Sequence, residues 1–209
     1  MNSTYITIFI GVSVAISLVY IAGYKKNIKI MKEMAKSLEA ALNPKDKLYT
    51  YLGGVLGFSA EYKVNGFKKV FVNLRLIPRQ SILYLPFMFI TSGKDSLQIM
   101  FYTEKPIIGE FHIIKEGPLK LTKPKIYNRG KLKKETAIID NRKYEILKDS
   151  DKYSNFKNLI KLFNTKHFNH LAITKENSIV YINLLFYRVN YNELENSLKK
   201  TANFIKSSI

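Results

Sequence analysis

The sequence predicts an α+β fold: an N-terminal transmembrane helix continuing into an amphipathic helix, then an antiparallel sheet of hairpins with two helices packed on one face. Three observations predict it. Tyr5 to Tyr24 contain no charged residue. Past Pro44 the apolar spacing falls from three and four to two, with turn dipeptides between the runs. Residues 193–205 then return to helical spacing.

Twenty helical residues rise about 30 Å, the thickness of the hydrocarbon core of a bilayer. Residues 1–24 are therefore expected to form a single spanning anchor. Tyr5, Tyr20 and Tyr24 lie near its ends, where amphipathic rings favour the headgroup zone. A cleaved signal peptide fits less well, since Met1 to Thr4 carry no basic side chain and Ile21-Ala22-Gly23-Tyr24 makes a poor cleavage site. Lys25, Lys26, Lys29, Lys32 and Lys36 follow the span directly. This one-sided basic flank predicts an N-terminus outside and a C-terminal domain in the cytoplasm. The same lysines are the candidate membrane-surface contacts, because cations close to anionic lipid add about 1 kcal/mol each.

Residues 25–43 form the amphipathic connecting helix. Ile28, Met31, Ala35, Leu38 and Leu42 recur at spacings of three and four, as in a heptad seam that ends at Asn43-Pro44. The seam packs on the protein's own domain or on a second copy. Thr7, Gly11 and Ala15 give the anchor a small-residue face that permits close helix approach, so a homodimer through anchor and connecting helix is compatible with the pattern.

Residues 44–209 are expected to form the soluble domain. Phe58 to Val64 alternate, Asn65-Gly66 is a strong hairpin turn, and the return strand runs from Phe67 through Leu76 to Pro78. A second hairpin is predicted from apolar Ile82 to Ile90, the turn Ser92-Gly93-Lys94-Asp95 and Leu97 to Tyr102. The run Ile82 to Ile90 reads as a buried strand, or else as a membrane-touching edge. Ile107 to Ile114 forms a further strand. Residues 117–134 hold two prolines and the cations Lys120, Lys123, Lys125, Arg129, Lys131, Lys133 and Lys134, so they read as a loop or a break between halves. Strands over Ala137 to Ile139 and Tyr144 to Leu147 flank Asp140-Asn141, and a helix follows from Lys152 to Phe163. Strands over Leu171 to Thr174 and Ile179 to Phe186 come next, then a helix from Glu193 to Ile205. Asp151 and Asn192 are the expected helix caps.

The net charge of +18 arises from 34 basic and 16 acidic residues, and only five of the cations are Arg. Charge of this size attracts polyanions, and lysine favours nonspecific attraction over bidentate readout. The chain has no cysteine, which excludes disulfides, thiolate metal sites and thiol catalysis.

No local motif carries catalysis. His167 and His170 lie three apart, with His112 on a distant strand and only Glu176 close by among carboxylates, too few donors for zinc. Asp149 and Asp151 lack the later ligands of a calcium loop. Gly53, Gly54 and Gly57 precede a strand, not the helix that a phosphate loop requires, so they read as strand bends or close backbone packing. Ser59 lacks the glycine frame of a nucleophile elbow. No cofactor is expected. The expected function is a non-enzymatic, basic binding or scaffold module tethered to the cell membrane. Its expected partners are the lipid bilayer and, beyond it, anionic lipid headgroups, nucleic acid or a membrane-protein partner. Two alternatives are a membrane-bound enzyme with scattered carboxylates such as Glu61, Glu104 and Glu110, and a structural subunit of a membrane complex.

Overall fold

The computed structural model describes residues 3–84, 86, 93–117, 124–163 and 165–209. Helix α1, Ser3–Leu42, is one unbroken rod of 40 residues. It stops at Asn43, which takes a left-handed φ of 43° and donates its N–H to Glu39 O at 2.9 Å, ahead of Pro44. The rod has two environments. Between Ser3 and Ala22 every residue is exposed except Val19, which is partly covered. From Gly23 onward a stripe of Gly23, Asn27, Met31, Met34, Leu38, Ala41 and Leu42 is buried.

The stripe packs on the protein's own sheet. Met31, Leu38 and Leu42 join the core as the heptad seam predicts, but Ile28 and Ala35 are only partly buried, and Met34 and Ala41 lie deeper. A straight helix turns every 3.6 residues, so its contact line drifts away from a seven-residue register. The sheet accepts the wider stripe.

Among the described residues, nine strands form one antiparallel sheet in the order β1-β2-β3-β4-β9-β8-β5-β7-β6. They are β1 Asp46–Tyr51, β2 Gly57–Lys63, β3 Phe67–Arg75, β4 Asp95–Thr103, β5 Phe111–Lys115, β6 Lys133–Ile139, β7 Arg142–Lys148, β8 Phe168–Thr174 and β9 Ile179–Phe186. The β2–β3 hairpin turns at Asn65-Gly66, and the β6–β7 hairpin at Asp140 and Asn141, both with positive φ. Gly57 starts β2 where a Cβ would sit 1.9 Å from Leu74 O, the close backbone packing its sequence context predicts. Strand β1, exposed at every position but Tyr49 and without alternation in burial, is not legible in the sequence. Residues 117–134 do not divide the fold, because β9 from the C-terminal half pairs with β4 from the N-terminal half.

Three expectations are corrected. The first is the second hairpin: both edges of β4 are taken, by β3 and β9, and the described start of the predicted partner, Ile82–Tyr84, does not pair with it. Residues Ile82–Tyr84 instead form an exposed 3-10 turn that touches α1, and Leu83 is 82% exposed; residues 85 and 87–90 lie outside the described set. The second is the helix from Lys152 to Phe163, which resolves into a 3-10 turn, Ser154–Asn158, and a single α-turn, α2 Leu159–Leu162. The third concerns the caps. Helix α3, Tyr191–Ser208, is capped by Asn190, whose side chain accepts from Glu193 N, and not by Asn192. Asp151 accepts from the side chains of Lys148 and Ser154 rather than capping a helix.

The docked half of α1 and helices α2 and α3 cover one sheet face, where alternate strand residues such as Leu97, Ile99, Phe101, Val180, Ile182 and Leu184 are buried with them. The other face carries half-buried residues such as Ser96, Gln98 and Met100, and among the described residues no helix lies over it.

One polar cluster fastens α1 to this layer. Asn27 is fully buried, donating from Nδ2 to Val55 O at 3.0 Å and to Ile77 O at 2.9 Å. Its Oδ1 accepts from Arg79 Nη1 at 2.9 Å. Arg79 makes a bidentate pair with Asp95, which is 1% exposed and also accepts from Ile77 N. One turn earlier a Cβ on Gly23 would meet Arg79 O at 2.3 Å, so only glycine allows the helix this close. Asn27→Leu removes three hydrogen bonds, leaves Val55 O without its donor and takes one acceptor from the Arg79 guanidinium. We expect it to destabilise the domain by about 2–4 kcal/mol, read as a lower midpoint of thermal unfolding in mild detergent.

Candidate functional site

The strand register places α1's exit and a row of cations at the same end of the sheet. Asp95 stands opposite Phe186, Leu184 opposite Phe168, Ile114 opposite His170 and Lys115 opposite Tyr144. Lys94, Arg188, Lys166, Lys115, Arg142 and Lys143 therefore lie at or just beyond these strand ends. Asn27 bonds Ile77 O at this end, whereas Lys45 bonds Lys63 O at the other, so α1 runs from the basic end toward the far end.

The cations differ in how far they are satisfied. Lys143 pairs with Glu116 at 3.2 Å, and Lys94 lies 5.3 Å from the centre of the Tyr187 ring. Lys115 donates to Thr165 O and Lys166 O; burial, with Arg142 and Lys94 nearby, pushes its pKa down to about 8. Lys26, Lys29 and Arg188 have no carboxylate partner among the described residues. Lys25, Lys26, Lys29, Lys32 and Lys36 are all exposed on α1. Helical rise puts Lys32 and Lys36 about 12 and 18 Å beyond Tyr24, more than a Debye length at physiological salt.

A second constellation occupies the open sheet face toward the far end. His112 on β5 and His170 on β8 are 4% and 7% exposed, and their rings stack with centroids 5.8 Å apart. They line a cleft of about 300 Å³ with Met100, Glu110 and Tyr181, walled by residues 125–128. Arg129, just beyond that wall, pairs with buried Glu145 at 2.6 Å. His112 Nε2 meets Glu110 Oε1 at 3.2 Å. An ionised carboxylate only accepts, so Nε2 carries the proton and Nδ1 is a bare acceptor. That Nδ1 and His170 Nε2 are buried without a hydrogen-bond partner. The cleft therefore offers the His112 Nδ1 acceptor and the His170 Nε2, a donor or an acceptor according to tautomer, to a small molecule that can hydrogen-bond to them. Among the described residues no group of three or more His, Asp or Glu converges there.

Sequence spacing alone would pair His167 with His170; the sheet instead pairs His170 with His112, while His167 Nδ1 lies 3.3 Å from Leu185 O. The three candidate carboxylates do not converge. Glu61 pairs with Lys69 on the surface, Glu104 is exposed beyond β4, and only Glu110 reaches the cleft. Asp149 accepts from Glu110 N at 2.9 Å, a structural bond. Asn27, Arg79 and Arg188 carry no motif in the sequence, and Asp95 reads there only as a turn residue. The one local signal was Asn27, a polar residue four places before Met31 on the buried stripe.

No protein-family model matches the chain, and no curated protein is significantly similar to it.

Burial, reinforced by His112, holds the His170 pKa down at about 3, and burial also lowers that of His112 against the pull of Glu110. The unfolded chain takes up these protons near pH 6.5. The stability contributed by neutral His170 is thus complete above that pH and is lost as pH falls toward 3. Between pH 6.5 and 5 the loss is about 2 kcal/mol from His170. His170→Phe, which keeps a ring but cannot titrate, should flatten the pH dependence of the unfolding midpoint over this range.

Proposed function

We propose that the chain is a single-pass membrane protein, non-enzymatic, whose basic domain is clamped against the cytoplasmic face of the bilayer as a binding or scaffold module. One observation carries this reading. A single helix leaves the fold with a bare apolar half long enough to cross a membrane, while its other half is core, so domain and span share one rigid rod. The bare apolar stretch, only 6% buried, supports a span over the core helix of a water-soluble protein. The poor cleavage site after Ile21 argues for retention rather than removal.

The rigid rod sets the posture of the domain. With Tyr24 at the headgroup level, the clamp at Gly23 and Asn27 brings the strand ends bearing Lys94, Arg188, Lys115 and Arg142 toward the same surface. Exposed Ile82 and Leu83, beside α1 and close in sequence to Arg79, add an apolar contact there. Cations near an anionic leaflet and apolar groups at the interface attract additively. The separation of Glu61, Glu104 and Glu110 speaks for binding rather than catalysis.

The absence of cysteine makes the test direct. Tyr127→Cys places a unique thiol on a residue that is 96% exposed. In sealed right-side-out vesicles, a membrane-impermeant maleimide should label it only after detergent lysis. Labelling of intact vesicles would reverse the orientation, and release of the full chain by alkaline carbonate would remove the anchor itself.

A further inference from the structure

We propose that the crevice where α1 leaves the domain binds one anionic phospholipid, its phosphate held between Lys26 and Arg188 and its acyl chains laid along Val19 and Ala22. This rests on the reading of α1 as a membrane span.

Two adjoining cavities, of about 490 and 300 Å³, meet there and share Lys26, Tyr187 and Arg188 in their walls. The larger continues along Val19, Ala22 and Gly23, on the apolar half of the helix. Among the described residues before Gly23, Val19 is the one that the protein partly covers, so the crevice reaches past the helix exit into the depth that acyl chains occupy. The smaller cavity extends the other way, to Lys29.

The charges are arranged for a phosphate. Arg79, also in the wall, is already neutralised by Asp95. Lys26, Lys29 and Arg188 have no acidic partner among the described residues, and they come from two elements, α1 and the β9–α3 turn. Arg188 offers the planar fork that binds phosphate through two oxygens, and Lys26 and Lys29 supply point charges. Tyr187, 56% exposed between them, is an amphipathic ring suited to the headgroup zone. Three unpaired cations favour a headgroup of net negative charge over a choline, whose ammonium would face Lys29.

The test uses the full chain in nanodiscs of phosphatidylcholine with a minor fraction of phosphatidylglycerol, with retained lipid counted by native mass spectrometry after transfer to mild detergent. The wild type should keep one phosphatidylglycerol in preference to phosphatidylcholine. The double variant Lys26→Gln, Arg188→Gln should lose that preference by about tenfold or more, the worth of a charge-assisted contact. The charge-matched control Arg142→Gln, Lys143→Gln should keep it. Equal retention by the first variant, or equal loss in the control, would overturn the site in favour of diffuse surface charge. Displacement of the lipid by millimolar inorganic phosphate would likewise overturn it, pointing to a soluble anion. Failure of the chain to resist carbonate extraction would instead sink the membrane reading, which keeps the two outcomes apart.

Discussion

The buried contact of Asn27 with Arg79 and Asp95 is the constraint on which the rest of the molecule depends. A helix that must be bare and apolar on one side of Tyr24 and half-buried on the other needs a fixed boundary between its two environments. Apolar packing alone would tolerate sliding of the helix, since one methionine or leucine replaces another on the sheet with little change in burial energy. The amide of Asn27 does not tolerate it, because its three partners, Val55 O, Ile77 O and the Arg79 guanidinium, exist at one place only. A displacement by one turn would leave a buried guanidinium short of one acceptor and the Val55 carbonyl without a donor, at about 2–4 kcal/mol. Gly23 then sets the distance of approach, through its contact with the Arg79 backbone.

From this boundary the disposition of the charged and polar groups follows. Because α1 lies along the strands, one end of the sheet is at its exit and the other is remote from it. The exit end gathers Arg188, Lys94, Lys115, Arg142 and Lys143 from chain segments far apart in sequence. The remote part of the open face holds the neutral imidazoles of His112 and His170 with Glu110. The exit end is exposed and cationic, whereas burial holds the cleft histidines neutral, so the two regions call for different ligands: anions at the exit, a hydrogen-bonding molecule in the cleft.

How much of this was legible depended on the range of the interaction behind each feature. The β2–β3 hairpin was readable because Asn65-Gly66 and the alternation around it are local. The terminal helix was readable from Leu194, Leu198, Ala202 and Ile205, though its cap fell two residues earlier, at Asn190. Ile82–Tyr84 depart from the strand that their apolar content suggests. What keeps them off β4 is non-local, since β9, nearly a hundred residues later, occupies the edge that they would need. Strand β1 was missed for the converse reason: its place rests on pairing with β2, not on a periodicity of its own.

By itself the sequence determined the α+β class, the spanning length of the apolar run, the basic flank after it and the absence of thiol chemistry, because each of these is a property of composition or of residues a few places apart. Only the tertiary structure decided that the helix is welded to the domain at Asn27, that Arg188 joins Lys26 at the helix exit, and that His112 faces His170. These are meetings between strands and helices 50 to 160 residues apart, and sheet order, which no local pattern encodes, is what brings them together.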